Sequence, residues 1–474
     1  MKHIGLIFIL LMASAASRGQ TMTVSDEVQL RSETEYELLG NMKGRILLFQ
    51  NQSTEFEIQA FDSQLRKSWS KKLELEKRLP EVVGITHSSE DFTLFYRHRR
   101  KSHNLLKAYK YDPAANLSDS VTIKDYGFLF YTPDFEFLVS ENRRKALIYY
   151  IEKQNTINAL CFDIDSMRIL WENTFVPDDF NLTRDFLHLV LSDEGELYMV
   201  IEKNNQRSKR ENHFFEVHRY QGREKEYNRF NLPLSGNLTY DVKFMYDNLN
   251  ERLVGGGLYA ESNPARAVGY FYLKVDPQQH RDATFTFQEF DDEFVSNLKG
   301  KEVDNNKGIA ESMVQDIVLR VDGGIVILCE RTREFERHVS SRNQITLYRY
   351  NNYIVDYFYD DLFIISVNPD GSSHWKNILY KRQYSQDDMG AFSSYFLMKT
   401  PSKLRIIFND EIRHETTVSQ YELKGNGNYQ RRSVLSTAEL ELRLRFRDAL
   451  QIAGDQLIVP SERRNNLRLV KLDY

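Results

Sequence analysis

One motif returns along the whole chain and limits its fold more than any other feature: a short apolar strand, a polar turn, an alternating strand, a polar loop, then a strand ending in aromatic-Asp. VVGITHSSEDFTLFYRHRRKSHNLLKAYKYDP (Val82 to Pro113) shows it cleanly, and it recurs at Phe186 to Gly222, Val242 to Pro277 and Ser394 to Gly427. An enlarged copy runs from Val314 to Gly371. Less regular copies occupy Glu37 to Asp62 and Phe128 to Asp163, and a last one reaches Tyr474. That makes eight copies, and a period of roughly fifty residues suits four-stranded propeller blades. The expectation is an all-β single β-propeller of eight four-stranded blades, with seven as the alternative. The final copy lacks a fourth strand, and TMTVSDEVQL (Thr21 to Leu30) has the strand character to supply it. Closure by that N-terminal strand would remove two open sheet edges.

The three tryptophans share one phase of this repeat. Asp62 precedes Trp69, Asp163 precedes Trp171 and Asn368 precedes Trp375, each across a polar turn. This places Trp69, Trp171 and Trp375 at the start of an outermost strand, where an indole fills the cleft between blades and buries ~150 to 250 Å². Their expected role is structural. Thr437 to Arg445 is read as a helix or an outer strand, and the glycine triplet at 255 to 257 as a bulge or a close backbone approach.

The domain organisation is read as a signal peptide over 1–19 and a propeller over 20–474, with an insertion at about 331–360. Lys2 and His3, the apolar run Ile4 to Met12 and the small residues after it form a secretory signal, with cleavage expected at Gly19/Gln20. The run is too short for a stable membrane anchor, and no later stretch predicts a transmembrane segment. The chain is therefore expected to cross the inner membrane and to be periplasmic or associated with the outer membrane.

A formal net charge of -5 with both signs mixed throughout gives no footprint for nucleic acid. His98 and His103, on the one dense basic hairpin, are read as solvent-facing. Cys161 and Cys329 lie in apolar strands and are read as two separate buried thiols. The spacings of zinc sites, nucleophile elbows and phosphate loops do not occur. No catalytic residue, metal or cofactor is assigned.

Candidate binding residues fall on loops that would ring one mouth of the channel: Asp178, Asp179, Arg184, Tyr240, Asp387, Asp388 and Tyr395. Acidic pairs converging there could hold a divalent cation, although Asp also simply caps turns. Asp291/Asp292 is a third such pair. The insertion in the sixth copy supplies an interface set, Arg331, Tyr348, Tyr350, Tyr353 and Tyr357, because Tyr and Arg are enriched where proteins meet.

The Asp-turn-Trp arrangement resembles the repeats of pyrroloquinoline-quinone-type β-propellers, a family that includes quinone-dependent dehydrogenases and non-catalytic assembly proteins. The dehydrogenases carry an adjacent cysteine pair beside their cofactor, and this chain has none. The segment Phe358 to Tyr395 and the leader ending in SRGQ are also similar to secreted β-propeller proteins of Bacteroidota. The combined expectation is a non-catalytic, monomeric propeller that binds or scaffolds an envelope protein or glycan. The alternative is an enzyme acting on a sugar or other small molecule at the channel mouth, with or without a metal.

Overall fold

A computed structural model describes residues 20–474 apart from 32–33, 53–54, 77–79, 130–131, 279–282, 301–307, 339–352, 413–416 and 438–439. The proposed signal peptide, Tyr348 and Tyr350 lie outside the described residues. The strands form eight antiparallel sheets, each built on four strands. In chain order these are blades 1 to 7, over 35–73, 81–125, 136–175, 186–233, 238–289, 312–386 and 396–436. Blade 8 takes its three inner strands from 450–473. Its fourth is Thr21–Val24, paired antiparallel so that Thr21 faces Asp473 and Val24 faces Val470. Val28–Gln29 adds a second short pairing to the same C-terminal strand.

Both faces of each sheet are buried, which explains why so many strands read as unbroken apolar runs. In the second strand of blade 2, Phe92, Leu94 and Tyr96 point toward blade 1 while Phe95 points toward blade 3. In blade 4, Met199 and Ile201 pack toward blade 3 and Tyr198 and Val200 toward blade 5. This is the two-residue alternation of a pleated strand. The apolar core is therefore a ring of eight clusters, one in each cleft between neighbouring blades.

Glycine is used where blades crowd each other. A Cβ on Gly256 would lie 2.7 Å from Ile325 of blade 6, and one on Gly257 would lie 2.4 Å from the Asp241 carbonyl. The triplet is a close backbone approach, as its sequence suggests. Cys161 and Cys329 are separate, buried and unbridged.

Three local expectations are corrected. The stretch from Glu289 is not simply a loop: Asp292–Lys299 is an α-helix, α1, with Asp291 accepting from the Phe294 amide and Gly300 ending it in the left-handed region. Those are the standard start and stop signals for a helix. The described part of Thr437 to Arg445 is neither helix nor strand, apart from one bridge between Leu444 and Ser461. The blade's outer position is already filled by Tyr429–Ser436. His98 is buried and faces Glu76 at 3.9 Å, whereas His103 is exposed and pairs with Asp125 at 2.9 Å.

Candidate functional site

The connections from each outermost strand to the next innermost strand share one face of the propeller with the turns between second and third strands. Between blades 3 and 4 this face carries a polar pocket of about 200 Å³ that includes Asp178, Asp179, Arg184, Asp185, Glu202 and Lys203. Asp185 is its centre. Burial opposes ionisation of its carboxyl, but hydrogen bonds from Arg184 and Lys203 hold it below the ordinary range. Arg184 reaches it at 2.7 Å and Lys203 at 3.1 Å. Arg184 also holds Asp179 at 3.1 Å, and Asp178 pairs with Arg229 of the blade's outermost strand at 2.8 Å. The structure thus gathers three predicted residues in one pocket, each acid already facing a cation.

The second acidic pair lies three blades away and serves the backbone. Asp387 accepts from the Val355 amide at 2.9 Å, while Asp388 accepts from Ser385 at 2.7 Å and from the Gly390 amide at 2.9 Å. Asp291 caps α1 and pairs with Lys376 at 2.7 Å. Among the described residues, no group of three His, Cys, Asp or Glu side chains is placed to hold a metal.

Blade 6 extends beyond its neighbours. Its second and third strands, Ile325–His338 and Tyr353–Val367, remain paired out to His338 and Tyr353. Gln383–Gln386 then adds a third strand against Asp356 to Tyr359. Asp356 fastens this extension. Hydrogen bonds from Tyr384 and Arg337 lower its carboxyl to about 2. Tyr384 approaches to 2.6 Å and Arg337 to 2.6 Å, one from each flanking strand. Arg333 lies 4.4 Å over the Phe358 ring, which packs on Tyr384 in turn. Phe335 on the same face is 56% exposed, and Met389 on the adjoining loop is 80% exposed.

Of the predicted interface set, Tyr357 is half-buried on the opposite face of this extension. Tyr353 is placed by its backbone pairing with His338. Arg331 sits at the root and donates to the Leu298 carbonyl at 3.1 Å, tying the extension to the C-terminal turn of α1. Tyr240 and Tyr395 lie between blades. The Ser312 amide donates to the Tyr240 hydroxyl at 3.1 Å, and buried Tyr395 donates to Asp316 at 2.7 Å.

All three tryptophans lie in outermost strands. Trp171 is buried and T-stacks on Tyr220 of blade 4 at 5.0 Å. Trp375 bonds across to blade 7, and half-buried Trp69 packs on the cluster between blades 1 and 2.

One constellation has no signal in the sequence. A cavity of about 250 Å³ on the channel wall brings together Glu37 of blade 1, His87 of blade 2, Arg143 of blade 3 and Leu450 of blade 8. Arg143 donates to His87 Nε2. Burial raises the Glu37 carboxyl to about 7 despite the nearby Arg143 charge, and burial beside Arg143 depresses His87 to about 4. These residues are distant in sequence and meet only when blades 8, 1, 2 and 3 are side by side.

No protein-family profile matches the chain, and no curated protein matches it in sequence. Solved structures with a similar course of chain include an uncharacterized protein of Listeria monocytogenes EGD-e, at 8% identity and TM-score 0.41, covering 82% of this chain and 90% of that one. The Dos1 propeller aligns at 9% identity and TM-score 0.43, covering 95% and 94%. Dipeptidyl peptidase 4 of Porphyromonas gingivalis aligns at 10% identity and TM-score 0.45 over 90% of this chain, which spans 56% of that protein. These likenesses concern the course of the chain alone, and the eight-bladed assignment rests on the sheet topology.

Proposed function

We propose that this propeller is a non-catalytic binding or scaffolding module of the bacterial cell envelope, and that it engages a protein through the extension of blade 6. The observation carrying this reading is the three-stranded extension, which is fastened internally by Asp356 and presents exposed Phe335 on one face, with exposed Met389 on the adjoining loop. Rigid support with accessible aromatic and Arg side chains is the composition of protein-interaction surfaces. Asp178, Asp179, Asp387 and Asp388 are engaged in turns and ion pairs, which supports a scaffold role for their loops.

A photo-crosslinking residue at position 335, compared with one at Thr122 on the exposed outer strand of blade 2, tests the reading in cells. One envelope protein crosslinked from position 335 and not from 122 is the expected result. Equal labelling from both positions, or none from 335, overturns it. Residues 1–19 are proposed to be removed on export, and N-terminal sequencing of the mature protein should begin at Gln20.

A further inference from the structure

The channel-wall cavity contains an acid, Glu37, and a guanidinium, Arg143, that do not pair with each other. Among the described residues Glu37 makes no hydrogen bond or ion pair, and His87 is the one side-chain hydrogen-bond partner of the Arg143 guanidinium. An acid and a guanidinium sharing one cavity ordinarily close into a salt bridge when nothing holds them apart. Here no such bridge is closed between them.

Arg143 has a left-handed φ of 59° in the turn between the first two strands of blade 3. Its neighbours lock it there. Its amide donates to the Ser140 carbonyl at 2.9 Å, and its carbonyl accepts from Thr86 of blade 2 at 3.3 Å. Arg144, the next residue, is pinned to Asp91 at 3.0 Å and also to Asp165.

On the other side, the first strand of blade 1 carries a bulge between Leu38 and Gly40. Gly40 has a φ of 84°, and a Cβ there would meet Leu450 at 3.3 Å and His87 at 3.6 Å. The bulge lets the His87 ring lie against the strand next to Glu37. Tyr36 and Leu450 supply apolar wall.

The remaining charged groups around the cavity are paired. Asp448 is held by Arg445 at 2.5 Å, and the same Arg445 binds Glu462, which accepts from Tyr36 at 3.4 Å. His87 receives a hydrogen bond from Arg143 and is therefore neutral on Nε2. One carboxylate and one guanidinium remain for a ligand.

We propose that this cavity binds a small zwitterionic aminocarboxylate, of the size of a free amino acid, with its carboxylate on Arg143 and its ammonium on Glu37. The guanidinium fork matches a carboxylate, and a ligand carrying both charges satisfies both protein groups without leaving a net charge in the channel. A ligand with only one charge leaves the other group of the cavity uncompensated. The site lies on the channel wall rather than on the blade-6 extension, so the proposal does not rest on the protein-binding reading.

Calorimetric titration of the purified protein with glycine, L-alanine and β-alanine, against propionate and ethylamine, tests the proposal. At least one of the three zwitterions should bind, and each single-charge analogue should bind at least roughly tenfold more weakly, the loss of one charge-assisted hydrogen bond. Affinity should rise with pH between 5 and about 7 as Glu37 ionises. Glu37→Gln should abolish that pH dependence and the advantage over propionate, and Arg143→Gln should abolish the advantage over ethylamine. Propionate or ethylamine binding as tightly as the best zwitterion, or no binding by any of the three amino acids, overturns the proposal. The analogue comparison uses the unaltered chain and so does not depend on the variants folding.

Discussion

Trp171 of blade 3 donates its indole N–H to the carbonyl of Gly195 in blade 4 at 2.7 Å. Trp375 of blade 6 does the same to the Gly425 carbonyl of blade 7 at 2.9 Å. Each ring occupies a space that a glycine of the neighbouring blade leaves open, since a Cβ on Gly222 or Gly427 would overlap Trp171 or Trp375. Trp171→Ala should cost about 3 to 5 kcal/mol in chemical denaturation, the range for deleting a buried large aromatic. Trp69 is half-buried, so Trp69→Ala should cost about 2 kcal/mol, and equal costs for the two would contradict this account.

Lys381 and Glu330 form an ion pair at 2.6 Å with both side chains fully buried. Glu330 also accepts from Ser394 at 2.6 Å and Gln315 at 3.0 Å, and Lys381 donates to the Tyr359 carbonyl at 2.9 Å. Lys381→Met strands a buried carboxylate and should cost about 3 to 5 kcal/mol. Combining it with Glu330→Gln should recover part of that loss in the same denaturation measurement.

Ser25 ties the N-terminal segment to the last strand twice. Its amide donates to the Leu469 carbonyl at 2.9 Å, and its hydroxyl accepts from the Leu469 amide at 2.9 Å. Ser25→Ala leaves the Leu469 amide unsatisfied and should cost about 1 to 3 kcal/mol. Removing 20–30 altogether exposes the edge of Asn466–Asp473, and light scattering should then report association.

Glu37 carries a proton in the folded chain up to about pH 7, against an ordinary value of 4.5. Its contribution to stability is fully present below pH 4.5 and is lost as the pH rises toward 7. The thermal midpoint of Glu37→Gln relative to the unaltered chain should therefore climb across that window and level off above it. His87 acts in the opposite direction, with stability lost as pH falls from 6.5 to about 4, and it cancels in this comparison. A flat difference would refute the burial of Glu37.

Asp356 accepts from both outer strands of the blade-6 extension. Asp356→Ala should speed amide exchange in Gln383–Gln386 and leave exchange in blades 1 to 5 unchanged, as read by mass spectrometry after deuterium labelling.

The blade count and the closing strand are legible because the copies repeat apolar alternation and polar turns, sharpened in blades 1 to 3 by the aromatic-Asp strand ends Phe61-Asp62, Tyr111-Asp112 and Phe162-Asp163. The phase of Trp69, Trp171 and Trp375 reports a position that recurs in the fold, so local sequence was enough to place them on outermost strands. α1 gives little signal because its eight residues sit inside a long polar connection, although Asp291 and Gly300 are its start and stop signals. The site was much less legible. Asp178, Asp179 and Arg184 do share a pocket, but their partners Lys203 and Arg229 come from the next blade. Glu37, His87 and Arg143 each look like ordinary strand-end or turn residues, and only ring closure makes them neighbours.

That closure also orders events in time. Thr21 pairs with Asp473 across a sequence separation of 452 residues, so the first strand has no partner while the seven intervening blades are being made. At a synthesis rate of roughly 5 to 20 residues per second, this strand waits tens of seconds. Blades 1 to 7 can pair their own strands during that interval, but blade 8 is assembled last, from Thr21–Val24 and the strands within 450–473. The cavity shared by blades 8, 1, 2 and 3 therefore comes into being only in the final step of folding, which makes ligand capture there a report that the ring is complete.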